Sequence, residues 1–181
     1  LDANLRSIPE GPLPLRHAFF APGQLQRPQA VAELMRGAAT RTMQNLDRHI
    51  VDDLRNFLFG TPGAGGFDLG ALNIQRGRDH GLPDYNTIRV AYGLSPVSGF
   101  AQITSNPDLR ATLADMYGNV DDIDPWIGAL AEDRLPGLMI GPSLRAVLSE
   151  QFTRLRDADR FWYRRVFTGD VLAAIEATRL S

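Results

Sequence analysis

The sequence predicts an all-α globular fold, and two local patterns and the composition support this prediction. Helix start signals, in which a Pro or an Asx-Pro pair precedes apolar residues at helical spacing, recur along the 181 residues. Runs of five or more alternating β-branched residues, which are typical of strands, are missing. The composition is that of an ordinary globular protein, with 44% hydrophobic and 22% charged residues. We therefore expect several medium-length helices joined by irregular segments.

The first third of the chain predicts an irregular start and two helices. Residues 1–27 are rich in Pro and Gly and predict an extended, irregular lead-in. A Pro suited to the first helical turn favours a helix over residues 27–39. Residues 45–60 predict an amphipathic helix that ends at Gly60, followed by a turn over 61–66. The apolar face of that helix would hold Leu46, Ile50, Leu54, Phe57 and Leu58.

The rest of the chain carries the same kind of helix start signals. Asn106 and Pro107 stand at the positions of an N-cap and a first helical residue, as do Asp124 and Pro125. A long apolar pattern near the C-terminus predicts a helix that breaks near Asp157. Beyond the motif treated below, the predicted helices cover residues 82–94, 106–118, 124–133, 141–167 and 168–181. No repeat or internal boundary is evident, so the prediction is a single partial domain over residues 1–181.

Composition excludes several classes of function. The net charge of −2, from 19 basic and 21 acidic residues, gives no bulk attraction to nucleic acid or anionic lipid. The basic residues are all Arg, and the absence of Cys excludes disulfides and thiolate chemistry. No apolar run approaches the roughly 20 residues that span a bilayer. The N-terminus lacks a signal-peptide pattern and begins without Met, so we expect a chain cut from a longer protein.

The stretch "ALNIQRGRDHGLPDYN", residues 71–86, places polar groups on an apolar helical face. At about 100° per residue, one face combines leucines, a glycine and three polar side chains. Its members are Leu69, Leu72, Asn73, Arg76, Gly77 and His80. The leucines predict that this face is packed, and a buried Arg or Asn needs partners. A carboxylate or phosphate would suit Arg76, and an N–H donor would suit Asn73. These needs fit a planar anionic cofactor, although an internal polar network that only ties helices together is the alternative.

The same stretch resembles the signature of the animal-type haem peroxidase superfamily (the myeloperoxidase and peroxinectin-like group). Four further segments resemble that family in the same order: "PLPLRHAFFAP", "AYGL", "DIDPWIGALAE" and "GPSLRAVLSEQFTRLRDADRFWY". The resemblance implies that the chain is the C-terminal portion of a haem peroxidase catalytic domain, with a mainly helical fold. The Arg-rich composition without Lys or Cys suggests a bacterial member.

The resemblance also implies roles for two side chains. The family's Asn at the position of Asn73 accepts a hydrogen bond from the proximal His, and the Arg at the position of Arg76 lies near a haem propionate. We assign no ligand role to His80, no catalytic residue and no metal ligand to this chain. In the family the proximal His, the distal His and Arg, and a calcium loop all lie upstream. His17 is interpreted as a packed or surface side chain, and His49 as a solvated one on the polar flank of a helix.

The function implied is that of a haem-dependent peroxidase, which uses hydrogen peroxide in response to oxidative stress. The expected partners are the N-terminal part of the domain and a small-molecule donor or halide, in an extracellular or periplasmic setting. The isolated chain is expected to be inactive and able to self-associate. Two alternatives stay open, namely a related haem dioxygenase that oxidises fatty acids and a non-enzymatic helical module that has lost haem. The intact Asn73 and Arg76 argue against the second of these.

Overall fold

The computed structural model describes residues 1–19, 21–57 and 67–179, and these residues include helices and loops but no β-strand. The all-α prediction is therefore confirmed. The α-helices in these ranges are α1 (Leu15–Ala18), α2 (Ala30–Thr40), α3 (Leu69–Asp79), α4 (Tyr85–Ala91), α5 (Pro107–Tyr117), α6 (Pro125–Ala131), α7 (Pro142–Ala158), α8 (Tyr163–Val166) and α9 (Gly169–Ala177). Shorter 3₁₀ turns cover Pro22–Leu25, Phe100–Gln102 and Val120–Asp122, and a π-helical turn covers Asp53–Phe57.

The chain forms two compact units. The first consists of Leu1–Gln44, Ile50–Gly70 and Ala173–Ser181, and the second of Asn45–His49 and Ala71–Leu172. The single partial domain expected over residues 1–181 stays a prediction.

The first unit is joined by ion pairs rather than by a large core. Asp53 accepts hydrogen bonds from the backbone N–H of Arg16 at 2.9 Å and from its Nε at 2.6 Å. These bonds hold the pKa of Asp53 below its usual value. The α2 residue Glu33 pairs with Arg27 at 2.6 Å, and Ala30 at the start of α2 is buried. The Pro/Gly-rich lead-in is irregular up to residue 14 and then contains α1 and a 3₁₀ turn.

The predicted helix over residues 45–60 is wrong for most of its length. Residues 45–51 are not helical, and only the turn at Asp53–Phe57 has a helical bond pattern. The carboxylate of Asp47 accepts the backbone N–H of His49 at 2.7 Å, a local bond that competes with helix formation. His49 therefore does not lie on a helix flank, although it is exposed as expected. The predicted end of this helix at Leu58 and Gly60, and the turn over 61–66, lie outside the described residues.

The second unit has a continuous apolar core, and α5 and α6 begin directly after Asn106 and Asp124, the two predicted N-cap positions. The side chain of Asn106 accepts the N–H groups of Asp108 and Leu109 at 3.0 and 3.1 Å, and Asp84 caps α4 through Thr87. The long C-terminal helix ends at Ala158, as the predicted break near Asp157 requires. The buried core consists of Tyr85, Val97, Ile103, Leu109, Leu113, Val120, Ile123 and Ala131.

A buried carboxylate joins α4, α6 and α7 at the edge of this core. Oε1 of Glu132, at the end of α6, accepts hydrogen bonds from Tyr85 Oη at 2.7 Å, Arg89 Nη1 at 2.6 Å and Ser143 Oγ at 2.5 Å. Its Oε2 accepts the backbone N–H of Ser143 at 2.8 Å. Burial, together with the bond to Glu132, raises the pKa of Tyr85 well above its usual value. The four groups form one fully bonded polar cluster inside the unit.

Two further features concern the outer surface of the helices. The outer face of α7 carries Leu148, Phe152 and Leu155 at helical spacing, and all three are exposed. None of the helices within the described ranges combines the length and apolar character needed to cross a membrane.

Candidate functional site

The motif predicted from the sequence forms helix α3, which ends in a tight reversal. Gly81 has a φ of 68°, a conformation that favours glycine. Its N–H donates to the carbonyl of Arg78, and the N–H of Leu82 donates to the carbonyl of Gly77, both at 3.0 Å. This pair of bonds is a Schellman motif with His80 at the C-cap, and it includes the usual apolar contact, since Leu82 lies over Gly77.

The polar side chains of the face predicted to be packed are exposed, whereas Leu69 and Gly77 of the same face are half-buried. Asn73, Arg76 and His80 are all open to solvent in the structure. The packed side of α3 instead runs through Gly70, which is buried, and through the half-buried Ile74 and Gly77. At about 100° per residue this side is rotated by roughly 60° from Asn73.

The physical reason for this difference lies in the small residues of α3. A Cβ added to Gly70 would lie 2.7 Å from Ile50 Cδ1, so the helix backbone itself makes the close contact there. Of the two leucines of the predicted face, Leu72 is exposed and Leu69 is half-buried. Asn73 and Arg76 lie one turn apart on the exposed side, where i and i+3 side chains are neighbours. Neither side chain makes a hydrogen bond or ion pair to another described residue.

Arg78, two residues after Arg76, ties the end of α3 to the start of α6. Its Nε and Nη2 donate to Oδ1 and Oδ2 of Asp124 at 2.9 and 2.6 Å, a bidentate arrangement. Tyr117, the last residue of α5, donates its hydroxyl to Oδ2 of the same carboxylate at 2.8 Å. We call these three residues the Arg78 clamp. Among the described residues of α3, Arg78 is the one whose side chain hydrogen-bonds to another helix.

The carboxylate in the clamp belongs to Asp124, which the sequence predicted as the N-cap of its own helix. Asp124 stands at the N-cap of α6, as predicted, but its side chain makes no capping bond to that helix. The hydrogen bond from Arg78 holds the pKa of Asp124 below its usual value, and the Arg78 pKa is raised in turn. Burial, followed by the bond to Asp124, raises the pKa of Tyr117 to about 12. The carboxylate is thus ionised and the phenol protonated at neutral pH, which is the state that the bonds require.

The histidines do not form a site within the described part of the chain. His17 lies in α1 and is exposed, and His49 is exposed as well. No group of three or more His, Cys, Asp or Glu side chains in the described ranges is arranged to hold a metal ion. The candidate site is therefore the exposed face of α3, with Asn73 and Arg76, supported by the Arg78 clamp.

Comparison with known proteins places the whole chain in a family. The family model described as "Animal haem peroxidase" matches residues 2–181. Peroxinectin A of Dictyostelium discoideum is 46% identical over 152 residues, which cover 84% of this chain and 28% of that protein. The solved structure of Peroxidase A from Dictyostelium discoideum superposes with a TM-score of 0.78 at 43% identity, covering 87% of this chain and 31% of that one. Fatty acid alpha-dioxygenase of Oryza sativa gives a TM-score of 0.64 at 25% identity, over 72% of this chain and 22% of that chain.

The match over nearly the whole chain defines a helical haem-protein fold. The chain belongs to the animal haem peroxidase family. It spans less than a third of the length of the relatives reported above. Membership of this family implies that haem is the cofactor to consider.

The residues of α3 fit that cofactor chemically. Arg76 offers a permanently charged planar donor for a carboxylate, and Asn73 offers an amide oxygen that can accept an N–H hydrogen bond. Both are unpaired among the described residues, so no internal ion pair competes for them. The Arg78 clamp was not predicted, because its two charged residues lie 46 positions apart and no local pattern links them.

Proposed function

We propose that this chain supplies the proximal-side wall and a propionate contact of a haem-dependent peroxidase. The observation that supports the proposal most directly is the pairing of Asn73 and Arg76 on the exposed side of α3. A solvent-facing Arg and Asn one turn apart, on a helix held at its end by a second Arg, provide donors and acceptors that the fold itself does not consume. Family membership identifies the group that would use them.

The cofactor and the protein would have separate roles. When bound, haem supplies the redox chemistry with hydrogen peroxide, and the protein supplies binding and orientation. Arg76 binds a propionate through charge-assisted hydrogen bonds, which resists haem loss. The amide oxygen of Asn73 would accept a hydrogen bond from the ring N–H of the proximal His, which orients that imidazole and raises its basicity. That His, the distal residues and any calcium loop belong to the upstream part of the protein.

The wider setting follows from the same proposal. The complete protein would be a secreted bacterial oxidoreductase, extracellular or periplasmic, that acts in oxidative stress on a small-molecule donor or a halide. The main partner of this chain is the upstream part of the domain. The exposed apolar face of α7 is a surface through which the isolated chain self-associates. We propose peroxidase rather than fatty acid dioxygenase chemistry, because the identity to the peroxidase structure is 43% against 25% for the dioxygenase.

The test is a haem titration followed by Soret absorbance, on this chain alone and on the chain joined to the segment that precedes it in its gene. We expect a sharp Soret band and peroxide-dependent oxidation only for the joined protein. Tight binding by the chain alone would contradict the division of labour, since one of its own His would then be a ligand. Absence of binding in both forms would leave the non-enzymatic helical module as the better description.

Two variants of the joined protein test the residue assignments. Arg76→Ala should weaken haem affinity by roughly 10- to 100-fold, because a charge-assisted hydrogen bond contributes about 1.5–3 kcal/mol. Arg145→Ala on α7, another exposed helical Arg without a described partner, is the matched control and should leave the affinity unchanged. Asn73→Asp should lower the haem reduction potential, because a charged acceptor makes the imidazole more basic. Equal affinities for the two Arg variants, or an unchanged potential, would count against the assignments.

A further inference from the structure

We infer that Arg78, Asp124 and Tyr117 are positioning residues for the haem contacts of α3. The inference rests on the proposed function and deepens it. Arg78 does not face the same way as Arg76, since two residues along a helix correspond to a rotation of about 200°. Its role would be to hold α3 so that the opposite side of the helix presents Asn73 and Arg76 in a fixed direction.

The first argument is that, besides the close contact at Gly70, few side chains of α3 fix its direction. Its described side chains are largely exposed, and Gln75 pairs only with Asp79 of the same helix, at 2.7 Å. The bidentate bond from Arg78 to Asp124 is therefore its one described side-chain hydrogen bond to another helix. A fork-to-fork pair constrains both distance and orientation, which a single point contact does not.

The second argument is the diversion of Asp124 from its local task. An Asp at an N-cap normally accepts a backbone N–H of its own helix, but both carboxylate oxygens of Asp124 accept hydrogen bonds from Arg78 or Tyr117 instead. Only its backbone carbonyl serves the helix, accepting the N–H of Gly128 at 3.0 Å. The carboxylate is mostly buried, with its side chain 12% exposed, whereas Arg78 is 58% exposed. An ion pair this open to solvent adds little to stability, so its geometric effect is the larger one.

The third argument is the way in which Tyr117 completes the arrangement. Tyr117 is the last residue of α5, and Asp124 directly precedes α6. The carboxylate of Asp124 therefore bonds to the end of α5 and to the end of α3 at the same time. The clamp therefore connects α3 to a part of the second unit that has its own buried core. A shift of α3 would have to break both hydrogen bonds from Arg78, to a carboxylate that Tyr117 also holds in place.

The test is a double-mutant cycle in the joined, haem-binding protein, read out as haem affinity by titration. Arg78→Lys keeps the charge but loses the fork, and Tyr117→Phe removes one hydroxyl and keeps the ring. Each should weaken haem affinity, with Arg78→Lys costing roughly tenfold, the lower end of what loss of an orienting partner costs. Gln75→Ala is the matched control on the same helix, because it breaks a bond within α3 only. It should leave haem affinity unchanged.

The cycle then separates positioning from a general effect on the fold. If the clamp acts through Arg76, then Arg78→Lys should have little further effect in an Arg76→Ala background. Fully additive losses, or no loss from either clamp variant, would overturn the inference while an effect of Arg76→Ala leaves the proposed function standing. If the wild-type joined protein binds no haem, the proposed function fails and the inference falls with it. Tyr117→Phe keeps the test decisive should Arg78→Lys fail to fold.

Discussion

Replacing Glu132 by Ala should be one of the most damaging single changes in the second unit. The substitution removes the carboxylate that accepts four hydrogen bonds, from Tyr85, Arg89 and twice from Ser143. The side chain of Arg89 is only 12% exposed and would be left without its counter-charge. Removing one partner of a buried ion pair costs about 3–5 kcal/mol, or roughly two to four orders of magnitude in the unfolding equilibrium constant.

A second variant at the same position grades the effect. Glu132→Gln keeps one acceptor oxygen for Tyr85 and Arg89 but turns an amide N–H₂ toward the backbone N–H of Ser143. One unsatisfied donor pair should cost about 1–3 kcal/mol, less than the full truncation. The matched control is Glu150→Ala on α7, which removes an exposed Glu–Arg154 pair. That change should cost no more than about 0.5 kcal/mol.

The assay is urea unfolding followed by far-ultraviolet circular dichroism, with the free energy of unfolding taken by linear extrapolation. The expected order of destabilisation is Glu132→Ala, then Glu132→Gln, then Glu150→Ala. A loss below about 1 kcal/mol for Glu132→Ala, or a larger loss for Gln than for Ala, would refute the reasoning about the buried cluster.

Two other predictions concern packing and pH. Gly128→Ala should destabilise the chain by about 1–3 kcal/mol, because its Cβ would lie 2.4 Å from Cδ2 of the buried Tyr85 ring. Gly37→Ala in α2, where a Cβ meets nothing within 4 Å, should instead stabilise by about 0.5–1 kcal/mol; thermal unfolding of both variants checks the contrast. Hydrogen bonds from Arg residues hold the pKa values of Asp53 and Asp124 below 3.8, so their contribution is present above that pH and is lost as pH falls through the folded-state values. Unfolding free energies measured from pH 6 to pH 2 should therefore decline below about pH 4, and a rise over that range would contradict the sign.

Local signals in the sequence were enough to predict much of the fold. The cap formed by Asn106 with Pro107 is decided by residues within one turn of each other, and it was predicted correctly, as was the helix end near Asp157. The helix predicted over residues 45–60 does not form at residues 45–51, where the Asp47 carboxylate bonds the backbone N–H of His49 instead. A periodic pattern indicates what a helix would bury, but it does not show whether a local side-chain bond is preferred.

The candidate site was predictable only in part. The identity of Asn73 and Arg76 could be taken from the motif, and their place on one side of α3 follows from helix geometry. The expected burial of Asn73 and Arg76 was wrong, because the close contact of α3 is made by its backbone at Gly70. The partner of Arg78 could not be predicted either, since 46 residues separate it from Asp124 along the chain.

The fixed ending of α3 has a consequence for insertions and deletions. Gly81 and Arg78 mark where the helix stops and where it is held, so Asn73 lies five residues, and Arg76 two, before the clamped position. One residue added between Arg76 and Arg78 would turn the Asn73 side by about 100° and advance it by about 1.5 Å. Loop segments elsewhere tolerate such changes at a cost of a fraction of a kcal/mol. Length variation among related chains should accordingly be confined to the loops and stop short of this helix.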